Sequence, residues 1–368
     1  MTENLLSCDC AGCGAFARGF TRAGLSRRRF IAGGTAVLGV NALSAAQMPR
    51  PALAQAKPHR IDVHHHVSPP PWLEAVKKAK LDNPPIVNWS VQKSLDDMDV
   101  AGTATAVVSP TTPQVNFLRG DPQEAARIAR ESNEWVKKMM GDHPGRFGMF
   151  AMLPLPHIEE SLKEIAYAFD TLKADGIGTM TSYGDKWLGY ADFAPVWEEL
   201  NRRKATVYTH PTTANCCRNL VQGIPESAIE WATDTTRAIA NLLLSGTSQR
   251  YKDINWIFSH GGGALTAVAE RFQIQVVSRP PYKDKFTRET VDAELGRFYY
   301  DTAQIANAVT IGALARLVPI SQIVFGTDFP YRTGIEHANG LARAFSGADL
   351  AAIDRENALR LMPRLKTA

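Results

Sequence analysis

The chain has 368 residues, 45% of them apolar, and carries 41 Lys and Arg against 37 Asp and Glu. That length suits one large domain. No Lys/Arg run interleaved with aromatics accompanies the slight basic excess, which argues against nucleic acid as a partner.

Residues 1–54 read as an export signal. Ser26-Arg27-Arg28-Arg29-Phe30-Ile31 is a twin-arginine pattern, a weakly apolar stretch follows from Ile31 to Ala46, and Ala52-Leu53-Ala54 offers a cleavage site. The apolar stretch holds three Gly and an Asn and is too short to favour a membrane span. Six Arg and two acids fall in residues 1–54, so the remainder balances at 35 bases and 35 acids. The reading implies a folded protein passed by the twin-arginine machinery to the periplasm or beyond, with a mature domain of residues 55–368. Cys8, Cys10 and Cys13 lie in the signal, and three cysteines fall short of the four ligands of a structural zinc site.

Beyond the signal, short β-branched runs alternate with amphipathic stretches. Strands are predicted at Ile61–Val67, Thr103–Ser109, Phe147–Leu153, Gly176–Ser182, Ala205–His210, Ile254–His260, Phe298–Asp301 and Ile323–Asp328. Helices are predicted at Asp121–Gly141, Ile158–Lys173, Ala191–Lys204, Glu226–Ser245, Ala264–Phe272 and Asn307–Leu317. Eight strand–helix units in series predict an α/β fold of the (β/α)₈ TIM-barrel type, and no G-x-G-x-x-G follows the first strand to suggest a dinucleotide fold. Two inserts interrupt the rhythm, Pro211–Pro225 and Gln273–Arg297; the first follows a strand and is expected at the catalytic mouth.

The chemistry concentrates at strand ends. In Ile61-Asp62-Val63-His64-His65-His66, alternation turns His64 and His66 to one face and His65 to the other. Thr209-His210, Ser259-His260-Gly261-Gly262-Gly263 and Gly326-Thr327-Asp328 each end another apolar run. In a barrel these ends share one mouth, where imidazoles and a carboxylate suit one divalent metal, Zn²⁺ ahead of Mn²⁺, with a position open for water or a substrate oxygen. His59, His143, His157 and His337 fit no such pattern and read as surface or loop residues. Asp301, Tyr183, Trp187 and Trp231 are further candidates for the pocket. Arg119, Arg218 and Arg332, in loops after strands, are candidates to hold a substrate carboxylate, which a forked guanidinium suits. Cys216-Cys217, close after His210, read as loop packing near the site.

These residues, with Met98-Asp99-Val100-Ala101-Gly102, make Ile61 to about Arg360 resemble the amidohydrolase-related decarboxylases. That branch includes aminocarboxymuconate-semialdehyde, γ-resorcylate and 6-methylsalicylate decarboxylases. The resemblance implies that His64, His66, His210 and Asp328 bind the metal and that His260 and Asp328 act in catalysis, His260 holding metal-bound water and shuttling protons. Arg271 stands where muconate decarboxylases carry an arginine that reaches a neighbouring subunit's substrate, which admits a homodimer. The arginine those enzymes carry before the Met98-Asp99 segment has no counterpart in Leu81–Asp99, which argues against the muconate substrate. No Lys lies in Gly176–Ser182, which argues for one metal. The reading is a mononuclear decarboxylase of a small aromatic or unsaturated acid. The alternatives are a hydrolase of amides, lactones or esters, and a metal-binding protein without catalysis.

Overall fold

The computed structural model describes residues 59–367; the segment read as an export signal, residues 1–54, lies outside them with its Cys8, Cys10 and Cys13. Eight parallel strands follow one another around a barrel. They are β1 (Arg60–His66), β2 (Thr103–Ser109), β3 (Phe147–Met152), β4 (Gly176–Met180), β7 (Thr206–His210), β8 (Asn255–Phe258), β9 (Tyr299–Asp301) and β10 (Ile323–Val324). A hairpin of β5 (Ser182–Tyr183) and β6 (Lys186–Trp187) interrupts the series after β4. The seam between β10 and β1 is carried by backbone hydrogen bonds: Val63 N to Phe325 O (2.9 Å), His66 N to Phe329 O (2.7 Å) and Asp328 N to His64 O (2.8 Å).

Nearly every residue of β1 to β4 and β7 is buried. Strands covered on one face by helices and on the other by the barrel interior tend to read as short apolar or β-branched runs, which is the signal that located most of them. The helices of eight or more residues are α1 (Pro70–Lys78), α2 (Val91–Ala101), α3 (Pro122–Asp142), α4 (Ile158–Tyr167), α5 (Ala194–Arg202), α6 (Glu226–Leu244), α7 (Leu265–Ser278), α8 (Arg288–Leu295), α9 (Ala308–Leu317) and α10 (Gly334–Ala344). The main core lies between strands and helices, with Trp197, Trp256, Phe258 and Phe298 among its large side chains. A second cluster joins Phe150, Tyr208, Ile257 and Val324 to Ala358, Leu359, Met362 and Leu365 of the C-terminal segment.

Two expectations need correction. The helix expected to end at Phe272 runs on as α7 to Ser278, into the insert Gln273–Arg297, and α8 starts within that insert at a capping box in which the side chains of Thr287 and Thr290 each accept the other's backbone N–H. The last strand pairs only over Ile323–Val324, although the chain runs on to Asp328 beside β1. No helix among the described residues is long and apolar enough to cross a membrane.

Candidate metal centre

Three chain segments deliver one cluster of four residues. The Nε2 atoms of His64 and His66, adjacent on one face of β1, lie 3.1 Å apart. His65 faces away: Asp62 takes its Nδ1 at 3.0 Å, Ser94 Oγ meets its Nε2 at 2.9 Å, and its ring stacks on Phe329. His210 ends β7. Asp328, left-handed at φ 65°, sets its Oδ1 3.0 Å from His66 Nε2 and 3.1 Å from His64 Nε2. One ligating atom from each of the four residues lies within 4.8 Å of all the others, and all four residues are buried. Gly326 permits the approach, since a Cβ there would stand 2.9 Å from His64 Cβ and 3.0 Å from Asp301 Cβ.

Hydrogen-bond accounting fixes which nitrogen of each imidazole carries a proton. Nδ1–H of His64 donates to Asp301 Oδ2 (2.8 Å), that of His66 to Ser109 O (3.2 Å) and that of His210 to Pro211 O (2.9 Å). The three Nε2 lone pairs therefore converge on Asp328, and that of His210 is buried with no hydrogen-bond partner. Lone pairs and a carboxylate oxygen packed this closely need a cation among them, and the donor set of three imidazoles and one carboxylate fits a divalent metal. The electrostatics agree. Burial opposes charge on His64, yet the Asp301 and Asp328 carboxylates push it up to about 10. Burial holds His66 down and His210 down further, each also repelled by neighbouring imidazoles. Burial disfavours ionised Asp328, but His64, His260 and His66 together hold its carboxyl well below the usual range. The cluster calls for positive charge, which a metal supplies by displacing a proton.

Around the ligands, Asp301 Oδ1 accepts the N–H groups of His260 (2.8 Å) and Ala303 (3.0 Å), while its Oδ2 holds His64. Tyr208 donates its hydroxyl to Asp301 Oδ2. His260 lies in the turn after β8 with Nε2 3.4 Å from Asp328 Oδ2, and its side chain is 13% exposed, open to the mouth where the ligands are closed. The glycines after it let the chain press on α6: a Cβ at Gly263 would come 2.0 Å from Ala232 O. Trp231 on α6 sets its ring 5.8 Å from that of His210, and Tyr331 sets its ring 5.9 Å from that of His66.

The proposed carboxylate-binding arginines are not gathered at the cluster. Arg119, Arg218 and Arg271 are exposed, Arg271 on α7. Arg332, also exposed, is forked onto Glu336 one turn on, and it feels the charge of Asp328 as well. Of the pocket candidates, Asp301 and Trp231 belong to the site. Tyr183 does not: its hydroxyl takes the N–H of Met180 and its ring packs beside Phe193. Trp187 instead donates its indole N–H to Asp234. Cys216 is exposed, Cys217 is buried, and both are free; a hydrogen bond to Cys217 pushes the Cys216 thiol up to about 11. His337 is not a surface residue. It is buried on α10, where its Nδ1 donates to Thr333 O and its Nε2 accepts from Gln304 N. Gln304 went unnoticed in the sequence, yet its side-chain amide donates to Asp328 Oδ2. The signal it offered was its place three residues after Asp301.

A family model described as Amidohydrolase matches residues 61–364. A decarboxylase of Aspergillus niger is 37% identical over 330 residues, covering 83% of this chain and 88% of its own. A 6-methylsalicylic acid decarboxylase of Aspergillus aculeatus is 35% identical, covering 84% and 97%. In fold the chain is similar to a dihydroxybenzoic acid decarboxylase of Polaromonas solved with bound manganese and an inhibitor, with a TM-score of 0.72 over 84% of this chain and 98% of that one at 20% identity.

Proposed function

The chain belongs to the amidohydrolase family, and from that premise we propose that it is a mononuclear, metal-dependent carboxy-lyase that removes CO₂ from a small aromatic or unsaturated carboxylic acid. The observation that carries the reading is the convergence of three Nε2 lone pairs on Asp328, with His260 beside them on the open side. The relatives named as decarboxylases favour loss of CO₂ over hydrolysis.

A divalent metal held by His64, His66, His210 and Asp328 would draw a substrate oxygen to the cluster and stabilise the negative charge that develops as the carboxyl leaves. The rest falls to the chain. Asp301 and the Ser109 and Pro211 carbonyls keep the imidazoles in the binding tautomer. The bond from carboxyl carbon to ring carbon breaks, CO₂ departs, and the electron pair left on carbon takes a proton from His260, which recovers one from solvent through its exposed edge. Trp231 and Tyr331 present aromatic surface beside the ligands, suited to a flat substrate. Arg332, released from Glu336, is the proposed partner of the substrate carboxylate.

Zn²⁺ is the proposed metal, ahead of Mn²⁺, because imidazole-rich sets favour it; metal analysis of protein purified without added metal tests this. Arg27-Arg28 and the apolar stretch after them support residues 1–54 as a twin-arginine signal, hence a periplasmic or secreted enzyme. For the reaction, the test is product analysis on hydroxybenzoates, 6-methylsalicylate among them, against lactones and amides. CO₂ from one or more of the acids supports the reading; turnover of lactones or amides alone overturns it.

A further inference from the structure

We infer that Gln304 is a positioning residue that divides the two oxygens of Asp328, Oδ1 to the metal and Oδ2 to the side facing His260; the metal part rests on the function proposed above. Oδ1 lies 3.0 and 3.1 Å from the Nε2 atoms of His66 and His64. Oδ2 has two neighbours, the side-chain amide of Gln304 and, at 3.4 Å, His260 Nε2. An aspartate left to itself can rotate and offer both oxygens to a cation. The Gln304 amide opposes that, because turning Oδ2 inward would give up the hydrogen bond it donates to a charged acceptor.

Gln304 is itself held. It sits at φ 58° after β9, and its backbone N–H donates to His337 Nε2 at 2.9 Å. His337 Nδ1 donates to the carbonyl of Thr333, five residues beyond Asp328, so the hydrogen bonds close a ring between the loops after β9 and β10. A cavity of about 220 Å³ lies beside Gln304, lined also by Asn307, Arg332 and His337. With that space beside it the side chain is not wedged by packing, and the hydrogen bond to Asp328 sets its direction. Oδ2 is thus shared between the Gln304 amide and, at the longer distance of 3.4 Å, His260 Nε2.

The test compares Gln304→Met, which removes the donor at similar length, with Gln304→Glu, which keeps the shape and replaces the donor by a second carboxylate. Gln304→Met, stripped and titrated with Zn²⁺, should show a dissociation constant roughly 10–100-fold above that of the parent chain, the usual cost of losing a hydrogen bond to a ligand, and Gln304→Glu, which sets a second carboxylate beside Oδ2, should also depart from the parent's constant. Loaded with Co²⁺, Gln304→Met should lose visible absorption intensity as Oδ2 joins the coordination. In decarboxylation kcat should fall several-fold with KM little changed. A Gln304→Glu variant with the parent's Zn²⁺ affinity and Co²⁺ spectrum would reduce Gln304 to a space-filler and overturn the inference, even if Gln304→Met fails to fold. The metal readings need no substrate. Shifted affinity without CO₂ from any acid would sink the decarboxylase and leave Gln304's role standing, whereas CO₂ release with unshifted affinity would do the reverse.

Discussion

Asp301→Asn should weaken metal binding without touching a ligand. Asp301 Oδ1 accepts two backbone N–H groups, from His260 and Ala303, and Oδ2 accepts Nδ1–H of His64 at 2.8 Å. An asparagine must turn its one oxygen to the two backbone donors, because leaving both unpaired in a buried site costs about 1–3 kcal/mol each. Its NH₂ then faces His64 Nδ1, which can accept only by surrendering its proton. The tautomer reverses, and Nε2–H points at His66 and Asp328, where a lone pair was required. Disturbing such an outer partner costs roughly 10–100-fold in metal affinity, about 1.4–2.7 kcal/mol. Asp301 is wholly buried and Tyr208 also donates to it, so the upper end is expected. Titration of stripped protein against a competing chelator measures the constant, with near-parent circular dichroism as the control for folding. An Asp301→Asn chain that binds Zn²⁺ as tightly as the parent would refute the tautomer argument and the proton assignment of His64 with it.

His260→Ala should retain the metal and lose roughly 10²–10⁴ in kcat, as expected for removal of a general acid, read by steady-state kinetics beside metal analysis. His210→Ala should lose metal and activity together, because its Nε2 has no other partner; a fully active, metal-loaded variant would remove it from the ligand set. Burial pushes Asp97 up to about 6 against 3.8 unfolded, so its cost to stability is absent below pH 3.8, builds as pH rises towards 6 and is complete above. Asp97→Asn should therefore gain stability at pH 7 and none near pH 3.5 in thermal melts, by about 1.5 kcal/mol after halving for its partial exposure. Replacing Arg27 and Arg28 with Lys should leave active enzyme in the cytoplasm; normal delivery of that variant in cell fractionation would refute the export reading.

The ligands were legible because each ends an apolar run and because alternation separates His64 and His66 from His65. A barrel converts those two local facts into a shared mouth. Helices α1 and α2 were not. Proline-rich sequence at Pro69-Pro70-Pro71 and Pro84-Pro85 reads as loop, and here Pro70 and Pro71 open α1, where a missing N–H is no loss. His337 read as a surface or loop residue, and the group that takes its Nε2, the backbone N–H of Gln304, lies 33 residues away in the chain. Gln304 itself depends on a left-handed backbone and a contact 24 residues on, neither of which has a local signature. Arg332 was read as a candidate fork for the substrate, although Glu336, four residues on in the first turn of α10, was visible as a competing partner.

Decarboxylation driven by one metal at the His64, His66, His210 and Asp328 cluster has a stoichiometry that can be read. Its most direct measurement is carboxyl-labelled substrate, the best acid of the panel, turned over in D₂O by stripped enzyme to which Zn²⁺ or Mn²⁺ is added stepwise. Labelled CO₂ should rise with metal to a plateau at one equivalent per chain, with one deuterium placed on the carbon that lost the carboxyl. Full CO₂ release from stripped enzyme, or a plateau only at two equivalents, would contradict that stoichiometry.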